Sequence, residues 1–91
     1  MIANDLKYDF PDIADSCFVV EFRDASSSKR LDTDFNLLTT DKQKAYLVYL
    51  SLDSAKAYIG EVLKTKPSIE GLIYDSRERV IDIVRGVCET A

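Results

Sequence analysis

The chain has 91 residues, 46% of them hydrophobic and 31% charged, with three glycines and two prolines, the ordinary balance for one globular domain. A chain this short buries only about 60–65% of the surface its unfolded form exposes, which excludes a two-lobed enzyme with a cleft between lobes, and its apolar fraction is too high for disorder over most of its length. Twelve basic against sixteen acidic residues give a net charge of −4, which opposes the counterion release that drives nucleic-acid binding, so no nucleic-acid partner is expected.

Residues 1–15 are an acidic N-terminal segment, with Asp5, Asp9, Asp12 and Asp15 against a single Lys7. A secretory signal would begin with basic residues and continue with an apolar stretch, so this start points to a cytoplasmic protein. Pro11 suits the first turn of a helix, and the expectation here is a short helix or partial disorder. On a helical turn the three-residue spacing of Asp9, Asp12 and Asp15 would stack their carboxylates on one side. Such a stripe is ordinarily a solvated face; in a functional role it would steer a partner protein with a basic surface. A hard-cation site would need a glycine-bearing or carbonyl-rich loop, and this stretch has neither.

Along 16–23, Phe18, Val20 and Phe22 alternate with Cys17, Val19, Glu21 and Arg23, the period-2 pattern of a half-buried strand. After a serine-rich turn at 25–28, Leu31, Thr33, Phe35 and Leu37 alternate with Asp32, Asp34 and Asn36, which predicts a second strand antiparallel to the first. A polar turn at 40–44 leads into the longest apolar run, 45–50. That run is far short of the roughly 20 residues that cross a bilayer as a helix, and no membrane partner is expected.

On a helical wheel Leu52, Ala55, Tyr58, Ile59, Val62 and Leu63 share one side of 52–64, and Asp53, Ala57, Glu61 and Lys64 the other, as in an amphipathic helix. Extending that helix backwards would put Tyr46 and Leu50 in solvent and Lys44 in the core. Residues 45–51 therefore read as a strand buried on both faces, with Ser51 or Asp53 capping the helix that follows. Lys64 and Lys66 suit the negative end of the helix dipole, and Pro67 stops the helix. The stretches 69–75 and 80–85 flank the polar residues 75–79 and read as a hairpin.

The order β-β-β-α-β-β gives an α+β fold: a single two-layer domain over 1–91, mainly antiparallel sheet, with one principal helix at about 52–64 on one sheet face. Cover for the second face is left to the N-terminal segment, through Tyr8, Phe10 and Ile13, or to a partner. The basic pairs Lys29-Arg30, Lys42/Lys44, Lys64/Lys66 and Arg77/Arg79 all fall at predicted turns and read as solvated turn residues.

The chain has no histidine, which removes the usual acid–base group, the commonest metal ligand and any histidine-activated nucleophile together. Cys17 and Cys88 are expected to stay thiols in a reducing compartment, and Cys17 has no base beside it to activate it. Gly60, Gly71 and Gly86 stand alone, so no loop cradles a phosphate. Asp32-Thr33-Asp34-Phe35-Asn36 reproduces the first ligand positions of a calcium-binding loop, but Leu37 and Gln43 stand where that loop needs glycine and glutamate. No cofactor, metal or catalytic residue is expected, and the chain reads as a non-enzyme.

Five tyrosines offer large contact area with a polar end, as interfaces use. Tyr46 and Tyr49 point to opposite faces of the strand predicted at 45–51, which places one of them under the helix and the other on the second sheet face. The reading is a small acidic protein-binding module that occupies a partner protein, in the manner of inhibitors, immunity proteins or antitoxins, with Asp9, Asp12, Asp15, Tyr46 and Tyr49 as candidate partner-binding residues. The alternative is a self-associating, homodimeric regulatory or structural domain without catalytic activity.

Overall fold

The computed structural model describes residues 10–40 and 42–85. Its elements run β1 (Phe18–Asp24), β2 (Arg30–Leu31), β3 (Leu47–Tyr49), α1 (Leu52–Thr65), β4 (Ile69–Tyr74) and β5 (Val80–Arg85), an α+β domain in the expected order. All strand pairs are antiparallel. Strand β1 pairs along one side with β4, which pairs in turn with β5; its other side is shared by β3 near its start and β2 near its end.

The helix is set by its ends as much as by its apolar stripe. Ser51, with extended backbone at φ −147° and ψ 155°, is the cap, its Oγ accepting from the Ser54 N–H. That bond satisfies one of the donors a helix start leaves orphaned. Asp53 sits in the first turn and Lys64 in the last, each complementing the dipole. Ala55, Ile59, Val62 and Leu63 are buried, with Leu52 and Tyr58 partly buried against them.

Side chains alternate across a sheet, so the register assigns the faces. Val20, Phe22, Gly71 and Ile73 share the face under α1, joined by Leu31 of β2 and Leu47 of β3. Phe22 meets Phe35 and Tyr58 edge to face at centroid distances of 5.0 and 6.0 Å. Gly71 lies directly beneath Ile59: a Cβ there would come 2.8 Å from two of its methyl carbons. The missing side chain is what lets the helix approach the sheet.

Three expectations need correction. The strand predicted over 31–37 shrinks to Arg30–Leu31, followed by a turn at 32–36. Asp32 is buried there, its carboxylate accepting from the Asp34 and Asn36 N–H groups at 2.8 and 2.9 Å and from Gln43 Nε2 at 2.6 Å. Phe35 takes φ 69°. Aspartate and asparagine bond to nearby backbone and so build turns, and this loop curls on that account. The strand predicted at 45–51 as buried on both faces is the short edge strand β3, with Val48 exposed. It is β1, expected to be half-buried, that is buried on both faces from Val19 to Phe22. Finally, residues 10–16 form no helix, because Phe10 is drawn onto the second sheet face.

Ile59→Ala should cost about 2–5 kcal/mol in urea unfolding, as a cavity under the helix does. Gly71→Ala should cost about 1–3 kcal/mol by overpacking. Because alanine at 59 vacates the space that a Cβ at 71 would fill, the double variant should fall short of the sum by at least about 0.5 kcal/mol. Strict additivity would mean that the two residues do not touch.

Candidate interaction surface

The sheet face away from α1 carries Val19, Glu21 and Arg23 from β1, Tyr74, Leu72 and Glu70 from β4, and Ile83 and Arg85 from β5. Val48 joins it opposite Val19, and Arg30 opposite Arg23. At its centre is a carboxylate. Glu21 is only 1% exposed, and a buried charge is tolerated when it is paired and hydrogen-bonded. Its Oε2 accepts from Arg30 Nε, and its Oε1 accepts from Arg23 Nη2 at 3.2 Å and from the Tyr74 hydroxyl at 2.6 Å. Arg30 also donates through Nη2 to the Tyr46 hydroxyl at 2.8 Å.

The N-terminal segment closes over this cluster. Phe10 presents its ring edge-on to Tyr46 and Tyr74, with centroids 5.5 and 5.6 Å away, and Ile13 is partly buried. Ser76 donates to the Asp15 carboxylate at 3.1 Å. Tyr8 lies outside the described residues.

The candidate residues do not converge. Asp9 is outside the described residues. Asp12 and Asp15 are exposed, and with no helical turn to align them they form no stripe. Tyr46 and Tyr49 do take opposite faces: Tyr46 joins the Glu21 cluster, and Tyr49 stacks on Tyr58 of the helix at 5.7 Å. Each is partly buried and already has an intramolecular neighbour. Cys17 is a buried thiol, and Cys88 lies outside the described residues.

The exposed apolar residues of this face are Val48 on β3 and, at the other end of the sheet, those of the hairpin strand β5, which sequence reasoning passed over. Val80, Ile81 and Ile83 are exposed by 47%, 44% and 44%, and among the described residues nothing pairs with the outer edge of β5. An extra residue in β5 makes a bulge opposite Ile73/Tyr74. The turn before it is organised by Asp75, whose carboxylate accepts from the Arg77 and Arg79 N–H groups at 2.9 and 3.0 Å. Those donors, chiefly the Arg79 N–H, hold the Asp75 carboxyl below its ordinary range. The available signal was the run Val80-Ile81-Asp82-Ile83-Val84 in the last hairpin strand, too apolar for a solvated edge.

At Asp32 burial alone would raise the carboxyl, but donors from Asn36, Gln43 and Asp34 hold it below its ordinary range. Three N–H donors take three of the roughly four acceptor sites of this carboxylate, and among the described residues no group of potential metal ligands gathers. No protein-family model matches the chain, and neither a curated protein nor a solved structure is similar to it.

Burial raises the Tyr74 hydroxyl above its ordinary value of 10.0, reinforced by its hydrogen bond to Glu21 and by the charge of that carboxylate, with Arg23 opposing. Folding thus favours the neutral phenol, and the contribution is complete below the unfolded value and lost as pH rises through the folded one. The urea midpoint should be insensitive to Tyr74 up to about pH 10 and fall above it. In Tyr74→Phe the alkaline fall should be smaller, and an identical fall would place the hydroxyl outside the Glu21 cluster.

Proposed function

We propose that the chain is a protein-binding module that acts by occupying a partner protein, without a catalytic step of its own. The observation that supports this reading is the exposed trio Val80, Ile81 and Ile83 on a six-residue strand at the end of the sheet. Edge strands are normally blunted by outward lysines, by proline, by a cover or by a bulge such as the one at Ile81, because their free main-chain groups pair with other chains. Here the edge carries branched apolar residues, which are the material of an interface core. The opposite sheet face is closed by the helix, and the centre of this one by Phe10 and its tyrosine neighbours, so β5, with three exposed apolar side chains against Val48 alone on β3, offers a partner the longer stretch of uncovered apolar surface on this face.

The test is comparative capture from the source cell with immobilised protein, wild type beside the double variant Ile81→Lys/Ile83→Lys, read by mass spectrometry. Both positions are exposed, so the variant should keep the wild-type fold by circular dichroism, exposed substitutions usually changing stability by no more than about 0.5 kcal/mol. A protein retained by the wild type and lost from the folded variant is the expected result. Identical sets of retained proteins on both would remove β5 from the reading.

A further inference from the structure

The second sheet face holds another binding surface, away from β5 and independent of it. We infer that the slot between Tyr46 and Tyr74 is a docking site for an extended segment of a partner protein, and that residues 10–13 fill it in cis as an autoinhibitory contact. The chemistry of the occupant is read from the segment seated there. Phe10 meets both tyrosine rings at 66° and 69°, with centroids 5.5 and 5.6 Å away. Phe10, Pro11 and Ile13 are partly buried, and Asp12 between them is exposed. The segment that fits is therefore an aromatic residue, proline, any residue and an aliphatic residue, held extended at its start because proline disfavours helix in the residue before it.

The slot is built without the segment that fills it. The Tyr74 hydroxyl donates to Glu21, and the Tyr46 hydroxyl accepts from Arg30, so both rings are oriented from the sheet. The donors to Glu21 come from β1, β2 and β4. Lifting residues 10–13 breaks none of these bonds, and a slot already in its bound geometry spares a new occupant the cost of ordering it. Lifting also uncovers aromatic ring surface that another apolar side chain can cover again.

The segment is held lightly. Among the described residues no main-chain hydrogen bond joins 10–16 to the sheet; the one backbone bond of this stretch runs from the Cys17 N–H to the Ala14 carbonyl. Pro11 has no N–H to give a strand, and the bond from Ser76 to Asp15 is exposed. None of residues 10–16 belongs to the core under α1. A stretch attached by a few side chains opens at a lower free energy than the core unfolds.

A second copy of the chain has little to gain here. Exchange of segments between copies remakes the same contacts, and the segment in cis is present at a far higher effective concentration. A foreign segment wins the slot by adding contacts outside it.

The probe is a capped peptide of residues 10–16, compared with the same peptide carrying alanine for phenylalanine. Titrated into the full-length Phe10→Ala variant, it should shift the ring signals of Tyr46 and Tyr74 and leave Val80 to Arg85 unmoved. The wild type should bind it at least about tenfold more weakly, because only the fraction of molecules whose own segment has lifted can accept it. The alanine peptide should bind neither protein. In the unmodified chain, a urea titration should separate Phe10 from the two tyrosines before the amides of α1 lose protection.

Equal binding to both proteins, or none to a Phe10→Ala variant that keeps the α1 amide signals, would overturn the slot. Loss of the Phe10 contacts and of α1 in one transition would make the segment an integral part of the fold and overturn the exchange. Tyrosine shifts that grow with wild-type concentration in the absence of peptide would overturn the foreign partner and assign the slot to a second copy.

Discussion

A sheet has two faces to keep from water, and the described residues hold one helix, of 14 residues, with which to do it. Helix α1 covers the face of Val20, Phe22, Gly71 and Ile73 closely enough that Gly71 can carry no side chain. Everything distinctive about the molecule lies on the other face, where the chain must make do with an irregular segment and polar side chains. The central strand β1 is consequently buried on both sides, and one of its four most buried residues is a glutamate. Glu21 is acceptable there because two arginines and a tyrosine from three different strands converge on it. A buried carboxylate with any of those donors removed would be destabilising, since the desolvation cost of the charge persists when its partners leave.

The cover on the second face is uneven, and that unevenness accounts for the exposed edge. Phe10 reaches Tyr46 and Tyr74, and Asp15 meets Ser76, which closes the face over Val19 and Glu21. The described course of the segment does not extend over Ile83. Leu72 is buried within the sheet beside it, but the next position outward, on β5, has water on its far side. The charges beside β5 are placed with the carboxylates inside and the arginines outside, so each charge there is neutralised within the chain.

How much of this could be read from the sequence depends on whether the deciding interaction was local. The helix and the β4–β5 hairpin were legible because Ser51, the stripe from Leu52 to Leu63, Pro67 and the polar turn at 75–79 all act within a few residues of one another. The opposite facing of Tyr46 and Tyr49 was legible for the same reason. The strand predicted at 31–37 failed because its alternation was made by Asp32 and Asn36, whose side chains and backbone groups preferred each other to a neighbouring strand. The burial of β1 and β3 is the reverse of the expected one because an unbroken apolar run does not by itself mark the strand that is buried on both faces. Glu21 made β1 look half-exposed, and the donors that bury it, Arg30 and Tyr74, are distant in sequence. The exposed edge at β5 is not legible for the related reason that being last in the sheet is a property of topology and not of any local pattern.

Glu21 also has a part in choosing the arrangement. In the run Phe18-Val19-Val20-Glu21-Phe22 every other residue is apolar, so burial under α1 would by itself accept either set of alternating side chains. A slip of one residue against β4 exchanges the two faces of a strand. It would carry Glu21 under Ile59 and Val62, away from the donors on β2 and β4, and leave Arg30 and Tyr74 facing a valine. The carboxylate thus makes the wrong register expensive while contributing little to the right one, which is the role best attested for buried polar groups. The same placement keeps Ile83, two strands away, on the outer face beside Arg85. A residue at the centre of the sheet in this way determines which side chains its far edge exposes.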